Sequence, residues 1–216
     1  MKLKICGMRD AENIKAVGKL KPDYMGFIFY PDSPRFAGEV LDKQVLLALP
    51  PTVKKVGVFV NPTRMELIRV MARYQFDFIQ LHGQETPEFC ESIRLYGRII
   101  KAFGVDENFD FEITKEYDKV CSHFLFDTRS AAPGGSGTRF DWNLLFNYQG
   151  GKPFLLSGGI GTQNAKTFPA LRKRFPYLAG VDVNSHFEKE PGMKDVTKLT
   201  KLVKILKKQN DELSGQ

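Results

Sequence analysis

A chain of 216 residues can bury most of its apolar surface around a core of its own, without a metal or disulfide staple. Its 42% hydrophobic and 26% charged residues are those of a globular protein and exclude a disordered or fibrous one. Net charge is +7, which raises the question of nucleic acid or a membrane surface.

The cysteines Cys6, Cys90 and Cys121 are odd in number and widely spaced, so no disulfide framework is expected. No CxxC or HExxH pattern offers metal ligands. The opening MKLKICGMRD has neither a long apolar stretch nor a small-residue cleavage site, so no signal peptide is expected and the location is expected to be cytoplasmic.

Along the chain one unit recurs: a short apolar run, a loop, then a helical stretch. Leu3–Cys6 is the first run, with a helix from Asp10 to about Leu20. Asp23–Phe29 follows, with a helix near Glu39–Leu49. Val53–Val60 is third; Asn61 reads as an N-cap with Pro62 at the first helical position. Phe78–Leu81 is fourth, and Thr86-Pro87 opens a helix in the same manner. Arg98–Phe103 is fifth, with a weak helical stretch over Phe109–Tyr117. His123–Phe126, Pro153–Leu156 and Ala179–Val183 complete the set, with a short helix over Asp141–Tyr148.

The tail carries Lys194, Lys198, Lys201, Lys204, Lys207 and Lys208 around the stripe Leu199, Leu202, Val203 and Leu206. That spacing of i, i+3, i+4 and i+7 predicts one buried helix face, with the lysines as its solvated remainder. Net charge is thus no reason to expect nucleic acid or membrane as a partner. A modest positive field would still attract an anionic small molecule.

Eight strand–helix units with short connections predict an α/β fold, a single (β/α)8 TIM barrel over residues 1–216. An open doubly wound sheet is the rival. Barrels do chemistry at the C-terminal strand ends. Cys6-Gly7-Met8 follows the first run, Tyr30–Arg35 the second, Asn61 the third, His82-Gly83 the fourth and Asp127-Thr128 the sixth. Ser157-Gly158-Gly159 follows the seventh; Asp182 and Asn184-Ser185 lie at the eighth.

Glycine lets backbone N–H groups surround a phosphate, and the loops after strands seven and eight are the usual place. Gly158, Gly159 and Ser185 are therefore candidate phosphate contacts, and Gly134–Gly137 reads as a mobile lid. Cys6 and Asp127 are a candidate acid–base pair; Asp127 would need a raised pKa to act as an acid, which partial burial could supply. Taken alone, Cys6 reads first as a buried core residue, Asp127 as an N-cap or loop brace and Arg35 as a surface arginine. His82 reads as a structural hydrogen-bonder.

The ordered motifs KICGM (Lys4–Met8), GFIF and SPR (Gly26–Phe29, Ser33–Arg35), VGVFVN (Val56–Asn61), QLHG (Gln80–Gly83), FDT (Phe126–Thr128), GGSGTRFDW (Gly134–Trp142), LSGGI (Leu156–Ile160), GVDVNS (Gly180–Ser185) and PGMKD (Pro191–Asp195) resemble the phosphoribosylanthranilate isomerases of tryptophan biosynthesis. The resemblance runs from Lys2 to Asp195. It implies a cofactor-free Amadori rearrangement of a phosphorylated small-molecule substrate, in a monomer or homodimer.

It further implies Asp127 as the acid that opens the furanose ring and Cys6 as the base at C2′. Arg35 would hold the anthranilate carboxylate. Gly158, Gly159, Ser185, Asp182, Gly135 and Gly137 would line the substrate site. One departure is His186-Phe187, where the family often has a small residue after the serine. Two readings compete. The histidine-pathway aminoaldose isomerases look as though they place an aspartate where this chain has Cys6. A non-catalytic phosphate binder would be expected to lack Cys6 or Asp127.

Overall fold

A computed structural model describes residues 1–38, 40–129 and 140–214. The expected lid at Gly134–Gly137, with Gly135 and Gly137, lies outside the described residues. Eight parallel strands form a closed barrel: β1 (Lys2–Ile5), β2 (Tyr24–Ile28), β3 (Lys54–Phe59), β4 (Phe78–Leu81), β5 (Arg98–Val105), β6 (His123–Thr128), β7 (Phe154–Leu156) and β8 (Leu178–Val183). Each strand pairs with the next, and β8 pairs back onto β1 with Lys4 opposite Asp182. That last pairing removes both sheet edges and rules out the open sheet.

Helices α1 (Ala11–Gly18), α2 (Lys43–Leu47), α3 (Arg64–Tyr74), α4 (Pro87–Ile93), α5 (Phe168–Arg174) and α6 (Val196–Ser214) flank the barrel. After β5 and β6 the helical places are taken by 3-10 segments, Phe111–Tyr117 and Trp142–Asn147. A two-stranded hairpin, β9 (Glu188–Glu190) and β10 (Met193–Lys194), sits between β8 and α6.

Local chemistry sets the helix starts. Asp10 caps α1 by accepting from Asn13 N at 2.8 Å. Thr86 caps α4 with Pro87 in the first turn, as expected. The expected cap at Asn61 is corrected. Thr63 caps α3 in a reciprocal box with Glu66, while Asn61 sits at φ 46° and its side chain accepts from Gln84 N at 2.6 Å. The physical reason is that T-x-x-E satisfies two backbone donors at once, which Asn61 with Pro62 behind it cannot match. The helix after β2 is also shorter than expected, because Asp42 caps it at Lys43 and Pro50-Pro51 follows it.

Strand alternation divides the core in two. Leu3, Ile5, Met25, Phe27, Phe59, Ile79, Phe124 and Phe126 point outward into the helices. Cys6, Tyr24, Val56, Val58, Phe78, Ile100, Ala102, Leu125 and Leu155 form a smaller cluster inside the barrel. On α6, Leu199, Leu202 and Leu206 are buried and Val203 is half-buried, with Lys198, Lys201, Lys204, Lys207 and Lys208 in solvent. Lys194 departs from that reading: it lies in β10 and is buried against Glu188.

On the outer face of β5, Lys101 forms a buried ion pair with Glu85 at 3.0 Å and donates to Gly83 O at 2.7 Å. Glu85 also accepts from the backbone N–H of Asn61 at 2.8 Å and of Gly83 at 3.0 Å. This network ties the loops after β3 and β4 together, with His82 between them. Lys101→Met leaves Glu85 charged and buried without its cation, so a loss of about 3–5 kcal/mol in unfolding free energy is expected. Denaturant unfolding measures it, and a loss under about 1 kcal/mol would show that the backbone donors alone satisfy Glu85.

Candidate active site

Cys6 lies just beyond β1, its N–H donating to Val183 O at 2.9 Å. Two residues earlier on the same face is Lys4, wholly buried, with Nζ on Asp182 Oδ1 at 3.0 Å. Burial raises the Cys6 thiol above its ordinary value, the ammonium of Lys4 is the largest opposing influence, Asp182 adds to the rise and Lys194 opposes it. Burial would push Lys4 down, but Asp182 and Cys6 outweigh it and keep the ammonium charged. Cys6 is thus as buried as a core cysteine and belongs to the inner apolar cluster, yet Lys4, Asp182 and Lys194 also act on it.

Asp127 is the fifth residue of β6 rather than part of the following loop, because the ladder to β5 continues through Gly104↔Asp127. Oδ1 accepts from Thr128 N at 2.8 Å, and Oδ2 lies 3.5 Å from His82 Nε2. His82 Nδ1 is 3.2 Å from Gln80 Nε2. The expectation of a raised Asp127 is corrected. Burial does press it upward, but His82 first, then Thr128 N–H and the Ser157 side chain, hold its carboxyl below the usual range. His82 was read as structural, and its contact with Asp127 puts it at the site.

Gly158 and Gly159 both have positive φ, 85° and 61°. A Cβ on Gly158 would fall 2.2 Å from Thr128 Oγ1 and 3.1 Å from Asp127 Oδ1. Only glycine lets this loop lie directly against the carboxylate. Asn164 braces the turn, accepting from Gly161 N at 3.0 Å and donating to Gly159 O at 3.2 Å. Ser185 opens a short 3-10 segment, Ser185–Phe187, in which Phe187 is fully buried. Of the two bulky residues, Phe187 anchors the loop in the core, while His186, directly after the serine, is exposed.

Arg35 is not a surface arginine. It is buried and grips Glu188 in a bidentate pair, Nη2–Oε2 at 2.7 Å and Nε to both oxygens at 3.0 Å. Burial opposes the charge on Glu188, but Arg35 and Lys194 hold its carboxyl below the ordinary range. Lys194 reaches Asn184 Oδ1 at 2.6 Å, linking this cluster to the loop after β8. Asp182, expected to meet the substrate, pairs through Oδ1 with Lys4 and also feels Asp127.

β1, β8, β7 and β6 are consecutive around the barrel, so Cys6, Asp182, the Gly158 loop and Asp127 occupy one continuous sector of the rim. Sequence reasoning missed Lys4, Glu188 and Lys194 as members of this sector. Only Lys4 left a signal: it alternates with Cys6 in a strand otherwise inward-facing at that parity. Among the described residues no group of three or more His, Cys, Asp and Glu could hold a metal ion. Among them, too, no helix is long and apolar enough to cross a membrane.

The chain matches the family profile described as N-(5′-phosphoribosyl)anthranilate (PRA) isomerase over residues 3–205. It is 46% identical over 206 residues to the N-(5′-phosphoribosyl)anthranilate isomerase of Parabacteroides distasonis, covering 94% of this chain and 92% of that one. It is similar to the crystal structure of phosphoribosyl anthranilate isomerase from Thermus thermophilus, with TM-score 0.84, 31% identity, and 96% and 99% of the two chains covered. A second solved phosphoribosyl anthranilate isomerase is in complex with reduced 1-(o-carboxyphenylamino)-1-deoxyribulose 5-phosphate; it matches with TM-score 0.80, 30% identity and the same coverage.

Proposed function

The chain belongs to the N-(5′-phosphoribosyl)anthranilate isomerase family, and from that premise we propose that Asp127 and Cys6 carry the two proton transfers of its reaction. It is an isomerase that converts N-(5′-phosphoribosyl)anthranilate, an aldose derivative, into the ketose 1-(2-carboxyphenylamino)-1-deoxyribulose 5-phosphate in tryptophan biosynthesis.

In the proposed course, Asp127 gives a proton to the furanose ring oxygen. The C1′–O bond breaks, its electron pair stays on oxygen, and the anthranilate nitrogen lone pair forms the C1′=N bond. Cys6 as thiolate then takes the C2′ proton. The C2′–H electrons form a C1′=C2′ double bond, and the iminium nitrogen recovers its lone pair. Tautomerisation moves the 2′-hydroxyl proton to C1′ and leaves the ketone. The observation that carries the assignment is the contrast between the two groups on one rim. Cys6 Sγ and the Lys4 ammonium converge beside Gly26, while Asp127 Oδ2 lies 3.5 Å from His82 Nε2, a ring nitrogen that can carry a proton.

Asp127 is ionised in the free site at neutral pH. His82 is the first of the groups that hold it so, and a proton must reach Asp127 before it can serve as the acid. A bound phosphate and carboxylate add negative charge nearby, which favours the protonated acid. The left-handed turn at Gly158-Gly159 and the N–H of Ser185 form the proposed phosphate cradle. Arg35, held by Glu188, is the proposed carboxylate contact through the edge of its guanidinium turned from that pair.

The test is the loss of anthranilate fluorescence from N-(5′-phosphoribosyl)anthranilate with the purified chain alone. Steady decay proportional to enzyme is expected. Constant fluorescence at high enzyme concentration would overturn the assignment.

A further inference from the structure

We propose that Lys4 is a positioning residue for Cys6: its ammonium, anchored on Asp182, stands beside the thiol and favours the thiolate form needed to take a proton. This deepens the reading of Cys6 as the base and rests on it.

Lys4 and Cys6 are two apart in extended chain, so their side chains share the barrel's inner face. In-register pairing of β1 with β8 brings Asp182 opposite Lys4, and the 3.0 Å ion pair fixes where the ammonium points. On the other side β2 contributes Gly26. A Cβ there would lie 2.8 Å from Cys6 Sγ and 3.3 Å from Lys4 Nζ. Both polar atoms converge on the space that the missing side chain leaves open.

An isolated buried lysine is costly, and pairing with Asp182 is what lets Lys4 keep its charge beside the thiol. The charged groups facing Cys6 are Lys4 from its own strand, Asp182 from β8 and Lys194 from β10. Lys194 is shared with Glu188 and Asn184, and Glu188 is shared with Arg35. Lys4 is thus the cation least committed elsewhere.

The alternative is that Lys4 only neutralises Asp182 within the fold. The two roles separate when Asp182 is neutralised as well: a Lys4 that only balances Asp182 leaves Cys6 unchanged in Lys4→Met/Asp182→Asn. If Lys4 favours the thiolate, Lys4→Met makes Cys6 harder to ionise. Asp182→Asn, which removes a neighbouring anion and frees the ammonium, makes it easier.

The measurement is the rate of Cys6 alkylation by iodoacetamide against pH, read on the Cys6 peptide by mass spectrometry. Lys4→Met is expected to raise the pH of half-maximal rate by about one unit, roughly a tenfold loss of thiolate at neutral pH. Asp182→Asn is expected to lower it. If Lys4→Met does not fold, the double variant Lys4→Met/Asp182→Asn removes the unpaired carboxylate. It is still expected to shift upward, since Lys4 influences Cys6 more strongly than Asp182 does.

An unchanged profile in Lys4→Met or the double variant would overturn the role, as would a shift of both single variants in one direction. Alkylation does not depend on turnover, so the two readings fail separately. Turnover retained in Cys6→Ala removes the base. A flat Lys4→Met profile removes only the role of Lys4.

Discussion

Asp127→Asn is expected to lower kcat by about 10²–10⁴-fold with KM nearly unchanged. Asparagine keeps the shape of the side chain and an oxygen for the N–H of Thr128, now 2.8 Å from Oδ1. It loses the ability to hold and release a proton beside the ring oxygen. The loss falls on the transition state, and so on kcat rather than on substrate binding. Fluorescence-monitored turnover at saturating substrate measures it. A variant within about fivefold of the parent would mean that His82, 3.5 Å from Oδ2, supplies the proton by itself.

Cys6→Ala is expected to cost a similar 10²–10⁴-fold in kcat, roughly, because it removes the proposed acceptor of the C2′ proton. The fold should tolerate the change, since a single small side chain leaves a cluster of Val56, Val58, Leu125 and Leu155 in place. Cys6→Ser separates acidity from size. A serine hydroxyl fills the same space but is far harder to ionise, so it should be nearly as slow as alanine. Serine activity close to that of the parent would show that Cys6 acts by packing. The ring-opening step does not need the thiol, so a Schiff-base intermediate should accumulate in both variants under single-turnover conditions.

Much of this site was legible before any coordinate. Strand ends in a barrel converge, so polar residues after apolar runs had to meet at one rim. Cys6, Asp127 and Gly158-Gly159 were found that way. Arg35 was placed on the right loop, but its buried pairing with Glu188 was not foreseen, since 153 residues separate the two. Lys4 escaped because a lysine in a short strand reads as an edge facing water; charged side chains are seldom fully buried without a partner. Its partner, Asp182, is 178 residues away and was read as a substrate contact.

Lys194 was grouped with the solvated lysines of α6, because nothing in a two-residue strand has a period to read. The protonation preference of Asp127 was misjudged for a related reason. Burial is predictable from an apolar strand, but the three donors that outweigh it come from His82 just beyond β4, from the backbone at Thr128 and from Ser157.

The sequence by itself determined the eight strand–helix units, the barrel they close into and the strand ends where chemistry sits. These follow from short-range periodicity and capping, which neighbouring residues decide. Only the tertiary structure decided which charges neutralise one another. The pairs Lys4–Asp182, Arg35–Glu188 and Lys194–Glu188 form because barrel closure and the hairpin after β8 bring distant segments together out of water. There electrostatic energies are large enough to set which side chain holds a proton.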